Sequence, residues 1–283
     1  SASPLFFQTA AGAGAVAGPI KSVRFDDGDG AYLNRNMTSG KTTYTVSVWV
    51  KRSSLSGYHA IFGSGTSSTN TTAFFFDTAS GKFYAYGSGG ANYYSTELFR
   101  DFSAWYHIVC SVSNNNATVY VNGKTVTFSP SLVFKPLYGN LTIGAGGSVG
   151  LYPFDGYMAD FYFIDGTALD ATSFGAFDDN GVWQAAAYSG TYGTDGAHLF
   201  DFANESGIGN DSSGNDNDFT ANNLVASALD YSTSGGTVTN AGNALDGNDN
   251  TYSQTSSGAN STYTFSPAIS VSSGRIDLRA RNH

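Results

Sequence analysis

The chain has 283 residues and a formal net charge of −9, with only 12% charged residues but 35 glycines and 15% aromatics. Glu97 and Glu205 are its only glutamates and it has six lysines, so the long polar helix formers are nearly absent and a helical bundle is excluded. The acidic balance argues against nucleic-acid binding and the 41% hydrophobic content against disorder. No apolar run approaches the roughly 20 residues that span a bilayer, so no membrane insertion is expected, and the single Cys110 leaves no internal disulfide framework.

Residues 1–19 form the first segment, in which Pro4-Leu5-Phe6-Phe7 leads into a stretch of almost pure alanine and glycine. Such residues bury little apolar area, and glycine loses the most backbone entropy on ordering, so a flexible arm is expected. Leu5, Phe6 and Phe7 are then either pegs that dock on another chain or part of a frayed terminus.

From Lys21 the pattern changes to short alternating runs bounded by Gly, Asn, Ser and Asp, which predicts an all-β sandwich over residues 20–225. Strands are expected at Ser22 to Phe25, Tyr44 to Val50, Ala60 to Gly63, Ala73 to Asp77, Lys82 to Tyr86 and Trp105 to Val112. In the second of these, Tyr44, Val46, Val48 and Val50 share one face, read as core, and Thr45, Ser47 and Trp49 share the other. Trp105 to Val112 repeats the pattern, with Tyr106, Ile108, Cys110 and Val112 inward and Trp105, His107 and Ser111 opposite. Thr118 to Val121, Asn122-Gly123 and Lys124 to Thr127 read as a hairpin, because Asn-Gly supplies the two positive φ angles of a type I′ turn.

Leu141 to Ile143 and Tyr157 to Ile164 are further strands, followed by one helical turn from Asp170 to Phe174 with Asp170 as N-cap and Gly175 as its stop. His198 to Phe202 and the surroundings of Phe219 complete this part. Beyond it, Ser261 to Phe265 and Arg275 to Arg279 mark a second β module over residues 226–283. It is shorter than the about 100 residues of a complete sandwich, so either the polypeptide continues past His283 or partner chains order this tail.

The run Trp105-Tyr-His-Ile-Val-Cys, then Val119-Tyr-Val-Asn-Gly123, then Phe154-Asp-Gly-Tyr-Met-Ala-Asp-Phe-Tyr-Phe-Ile-Asp-Gly166 resembles the laminin G-like branch of the concanavalin A-like lectin/glucanase superfamily. Val23 to Leu33 fits the first strands of that fold, a jelly-roll sandwich. Together with Thr167 to Gly175, Gly181-Val-Trp183, Tyr188 to Gly193 and Asp211 to Phe219, the segment is similar to the version found in virion proteins of marine bacteriophages. That resemblance implies a fibre-like appendage on the virion exterior or tail, attached through the arm to other virion proteins and contacting host-surface glycans. It also implies a homo-oligomer, trimeric for a fibre. The alternatives are a capsid decoration or tail/collar protein without sugar binding, and a secreted bacterial carbohydrate-binding adhesin.

The superfamily includes glycoside hydrolases, which place two carboxyl groups roughly 5 to 10 Å apart. Here Glu97 and Glu205 lie far apart in sequence, Asp155-Gly156 and Asp165-Gly166 read as turns, and Asp160 alone is expected to project from its strand, so no enzyme is expected. His59, His107 and His198 lack metal-ligand spacing. Calcium fits better with three acidic loops, Asp26, Asp27 and Asp29, Asp211 to Asp218, and Asp246 to Asn250, each of which otherwise reads as a solvated turn. Asn243 to Tyr252 is similar to the entry motif of discoidin-like, galactose-binding sandwiches, which implies Asp246, Asn248 and Thr251 as calcium ligands.

Sugar recognition by such sandwiches pairs stacking aromatics with polar loop groups. The candidates are Tyr58, Asn92, Tyr93, Tyr94 and Tyr152, all beside Gly-rich or polar turns. Trp49 is a further aromatic on a Thr/Ser face, read more simply as part of a second core layer or a subunit interface.

Overall fold

Alternation of apolar and polar residues between turns folds the first of two units, within Ser1–Ala226, into two stacked antiparallel sheets. The computed structural model describes residues 22–67, 70–78, 80–87, 90–147, 151–199, 208–224, 230–234, 238–239, 254–255 and 262–266. Leu5, Phe6 and Phe7, Asp246, Asn248 and Thr251, and the strand expected at Arg275 to Arg279 lie outside the described residues.

The strands of this unit are β1 (Val23–Phe25), β2 (Tyr32–Asn36), β3 (Tyr44–Arg52), β4 (His59–Ser67), β5 (Asn70–Phe76) and β6 (Phe83–Tyr86). They continue as β7 (Asn92–Ser95), β8 (Tyr106–Ser113), β9 (Asn116–Val121), β10 (Lys124–Val126), β11 (Phe128–Ser129) and β12 (Asn140–Ile143). The last are β13 (Gly156–Asp165), β14 (Gly175–Phe177), β15 (Trp183–Ala185), β16 (Ala197–Leu199) and β17 (Thr220–Asn222). The first sheet has the order β1-β13-β3-β8-β9-β10, with β16 also on β13; the second runs β11-β7-β6-β5-β4-β12-β2-β17. The fold is thus the all-β jelly-roll sandwich expected, with a 3-10 turn at Ala171–Ser173.

Between the sheets, Tyr44, Val46, Val48 and Val50 of β3 and Ile108, Cys110 and Val112 of β8 meet Phe62, Phe74, Phe76 and Phe83 in one core. Phe74 stacks on Phe62 and Phe83 with ring centroids 5.9 and 5.0 Å apart. Each such ring contributes about 1.5–3 kcal/mol by leaving water. The β9–β10 hairpin turns at Asn122 and Gly123, with φ of 47° and 76°. Gly123 is required twice over, because a Cβ there would also lie 2.3 Å from the Trp183 ring.

The opposite face of β3 is core as well. After β13 the chain folds back over the first sheet, starting with the turn capped by Asp170, whose carboxylate accepts from the Thr172 N–H at 3.0 Å. The turn ends at Phe174 and β14 begins directly at Gly175. Trp49, Val109, Ala159, Tyr162, Ile164, Ala171, Phe174 and Trp183 form this second apolar layer, so Trp49 is a packing residue.

Asp195 pins the returning strap. Its fully buried carboxylate accepts from the Thr38 N–H and hydroxyl and pairs with Lys41 at 2.7 Å and Arg35 at 3.3 Å, while Lys41 also reaches Asp165 at 2.8 Å. Burial alone would raise the Asp195 carboxyl, but the bonds from Lys41 and Thr38 outweigh it and hold it below its usual range. In the second unit, Ser227–His283, β18 (Asp230–Ser234) pairs with β21 (Thr262–Ser266), and β19 (Val238–Thr239) pairs with β20 (Gln254–Thr255).

Candidate functional site

Outward-facing positions on β5, β6 and β7 stand in register: Phe75 opposes Tyr84, and Tyr84 opposes Tyr94. Side chains on neighbouring strands stand within reach across the sheet, and these three rings form a cross-strand ladder. Tyr84 stacks on Phe75 at 5.4 Å and 19°, and on Tyr94 at 5.0 Å and 25°. On β4 the residue opposite Phe75 is Ala60, whose small side chain leaves room for rings from outside the sheet.

Two rings lie there. Tyr152 meets Phe75 edge-on at 5.5 Å and 85°, Tyr58 meets Tyr152 edge-on at 5.3 Å, and Tyr58 lies 5.5 Å from Tyr84. Tyr152 adopts φ of 55° and is 49% exposed. Its carbonyl accepts from the Ala60 N–H at 2.9 Å, which fastens the Tyr152 backbone to the sheet.

Polar groups edge this aromatic row. The Tyr84 hydroxyl donates to Asn92 Oδ1 at 2.7 Å, and Lys135 Nζ lies 5.6 Å from the Tyr86 ring centroid. Burial first, then the neighbouring tyrosines, push the Tyr84 hydroxyl up to about 12. Burial, Tyr58 and Asp77 raise Tyr94 likewise, so both phenols remain uncharged donors in neutral solution.

The structure therefore brings Tyr58, Asn92, Tyr94 and Tyr152 together. Tyr93 is a correction: alternation along β7 turns it inward, 7% exposed in the main core. Sequence reading missed Phe75, Tyr84 and Tyr86. The signal for the two tyrosines was available in the predicted strand Lys82 to Tyr86, where Phe83 and Ala85 face inward and Tyr84 and Tyr86 outward.

The other candidates lie elsewhere in the fold. His107 stacks on Trp49 at 4.7 Å, and Trp183 Nε1–H donates to its Nδ1 at 2.9 Å. Nε2 then carries the proton and donates to Ser47 Oγ at 2.8 Å. Burial pushes this imidazole down to about 3, against a weaker upward pull from Asp160. Asp160, with φ of 53° at an irregularity in β13, lies 3.0 Å from His198 Nε2, and the His198 ring stacks on Tyr162 at 4.0 Å.

His59 is buried 3.9 Å from Asp27, and burial together with Arg52 lowers it. Glu97 accepts from the Thr127 N–H and the Thr96 hydroxyl. The Asp211 carboxylate accepts from backbone N–H groups of His198, Ser213 and Asn217, and Asp26 accepts from Gly28. Among the described residues, no group of three or more His, Cys, Asp or Glu is arranged to hold a metal ion.

Residues 25–173 match a family profile described as the concanavalin A-like lectin/glucanases superfamily, just over half of the chain. No curated protein sequence matches significantly. Among solved structures, the chain is similar to a Bacteroides ovatus protein proposed to bind carbohydrate, at 18% identity and a TM-score of 0.49 over 72% of this chain and 58% of that one. It is also similar to domain 4 of the extracellular arabinanase AbnA from Geobacillus stearothermophilus, solved in complex with arabinotriose. There the identity is 17% and the TM-score 0.42, covering 52% of this chain and 77% of that domain. Domains LG4-5 of the mouse laminin α1 chain give 14%, 0.40, 58% and 46% in the same order. Likeness at these levels concerns the fold alone.

Proposed function

The chain belongs to the concanavalin A-like lectin/glucanase superfamily, and from that premise we propose that it is a glycan-binding protein, not a hydrolase, with the tyrosine-bearing face of its second sheet as the binding surface. The observation that carries this is the row of rings from Tyr152 through Tyr58 and Tyr84 to Tyr94, edged by Asn92. Aromatic rings flanked by hydrogen-bond donors and acceptors suit the apolar faces and hydroxyls of sugars. The binder reading is further supported by Glu97 and Asp160, whose carboxylates are engaged by Thr127 and His198. A glycan array probed with the labelled protein is expected to give hits that Tyr152→Ala and Tyr94→Ala abolish without changing the melting temperature appreciably. An array with no hits, or hits indifferent to both substitutions, would overturn the assignment.

The finer reading is a fibre-like appendage of a bacteriophage virion, with residues 1–19 holding other virion proteins and the module presented to host glycans as a homo-oligomer, trimeric in a fibre. Its support is the motif set from Trp105 to Phe219. A density map of the intact particle locating residues 1–19 tests it, and a mass measurement giving a stable monomer counts against the fibre. A decoration or collar role, without sugar, is favoured by Phe177 and Val182, which are 46% and 54% exposed on the β14–β15 cap. Calcium at Asp246, Asn248 and Thr251 is a separate proposal, supported by the likeness of Asn243 to Tyr252 to the entry motif of discoidin-like sandwiches, and a melting temperature indifferent to chelator removes it.

A further inference from the structure

Three residues that the tyrosine face leaves unused stand in one hydrogen-bonded line. Asp160 lies on β13, His198 on β16 and Ser212 in the segment before β17. His198 Nε2 is 3.0 Å from Asp160 Oδ1, and its Nδ1 is 3.0 Å from Ser212 Oγ. The carboxylate decides the tautomer, because an acceptor facing Nε2 calls for a proton there; in the neutral ring Nε2–H donates to Asp160 and Nδ1 keeps its lone pair. That lone pair accepts the Ser212 O–H. The hydroxyl also lies 3.1 Å from the His198 carbonyl, but this oxygen already accepts the Ser212 N–H at 2.8 Å.

Each member of the line is oriented by a further group. Asp160 has φ of 53° at the irregularity in β13, a strained backbone for an aspartate, and its carboxylate meets the imidazole there. The ring is held flat on Tyr162, 4.0 Å away and 7° from parallel. Ser212 follows Asp211, whose carboxylate accepts from the N–H groups of His198, Ser213 and Asn217 and so fixes this segment to β16. His198 and Asp160 are mostly buried, whereas Ser212 is exposed. A reachable hydroxyl whose proton points at an oriented imidazole is the arrangement that turns serine into a nucleophile.

We propose that Ser212, His198 and Asp160 form an acyl-transfer site that takes acyl groups from uncharged esters, a chemistry apart from glycosidic cleavage and independent of the glycan-binding reading above. Ser212 Oγ attacks the ester carbonyl carbon as its proton passes to Nδ1. The carbon–oxygen bond to the alcohol breaks, and the alcohol leaves with that proton. Water then attacks the acyl carbon, gives a proton to Nδ1, and the carboxylic acid departs as Ser212 regains its hydrogen. Asp160 is a positioning residue that faces the imidazolium formed at each step. Asp211, Asp216 and Asp218 share the segment with Ser212 and disfavour anionic substrates. Arg35 reaches it at Asn217, but its charge is matched by Asp195.

The full chain is tested with p-nitrophenyl acetate and with a fluorophosphonate probe. The unmutated protein is expected to release p-nitrophenol about 100-fold or more faster than Ser212→Ala, the lower end of what a positioned base supplies. His198→Gln should lose the rate as fully, since nucleophile and base act as a unit. Asp160→Asn should lower kcat by about tenfold or more while KM stays within about twofold, a split that a merely structural aspartate would not give. Mass spectrometry should find the phosphonyl adduct on the peptide that contains Ser212; this readout needs no variant, so it stands even where a substitution unfolds the chain. Ester cleavage indifferent to Ser212→Ala and His198→Gln in folded variants, or no adduct at Ser212, would overturn the inference. Either result leaves the glycan-binding reading where it stood.

Discussion

The two outer faces of the sandwich carry the same kind of residue and meet opposite fates. On the first sheet, Trp49, His107 and Tyr162 are roofed by the chain returning through Phe174 and Trp183. On the second, Tyr58, Tyr84 and Tyr86 pack on a small cluster of Ala60, Ala73 and Phe75, Tyr94 stacks on Tyr84, and all four residues stay partly exposed. Alternating aromatics on a strand thus identify a face that wants covering, without saying whether the cover is the protein's own chain or something else. The polar partners distinguish the two cases. His107 has both ring nitrogens bonded inside the protein, whereas the Tyr84–Asn92 pair sits at the surface.

Breaking the roofed face should cost the most. Asp195→Ala removes the anchor of the returning strap and leaves Lys41 with Asp165 and the Ser39 hydroxyl, and a loss of up to about 5 kcal/mol is expected from urea denaturation, as for other broken buried pairs. Trp183→Ala empties the roof above Gly123 and strands His107 Nδ1 without its donor, at about 4 kcal/mol. Sugar binding by the opposite face should survive both wherever the protein remains folded.

Acid should act on the same face. The His107 pKa is lowered by burial to about 3 in the folded protein, against about 6.5 when unfolded. The unfolded chain therefore takes up a proton that the folded one refuses. The contribution is present above pH 6.5 and lost as pH falls toward 3, amounting to roughly 3 kcal/mol by pH 4. Asp195, held below its usual range, adds a second loss only below about pH 4. Denaturation at stepped pH checks this, and His107→Gln should flatten the slope between pH 6.5 and 4. The smallest effect on stability belongs to the open face: Tyr152→Ala removes only edge-on contacts with Tyr58 and Phe75, under about 1 kcal/mol. Its readout is loss of glycan binding at an almost unchanged melting temperature.

Much of the first unit was legible because alternation and turn chemistry are local. The inward set of β3 and β8, the Asn122–Gly123 turn and the Asp170 cap can each be read from a handful of adjacent residues. Short strands with mixed composition were missed: β2, Tyr-Leu-Asn-Arg-Asn, buries only Leu33, and β7 is Asn-Tyr-Tyr-Ser. Within β7 the two tyrosines look interchangeable, and pairing with β6 decides that Tyr94 joins the ladder and Tyr93 the core. Tyr152 depends on a backbone bond to Ala60, a residue 92 positions away, which no local pattern encodes.

By itself, then, the sequence determined an all-β chain and the two faces of its main strands, because composition and period-two patterning act residue by residue. Only the tertiary structure decided which aromatic face is roofed and which stays open. That choice is made by the long return of the chain after β13 and its anchoring through Asp195, Lys41 and Arg35. It depends on contacts between segments far apart in sequence, where periodicity carries no information.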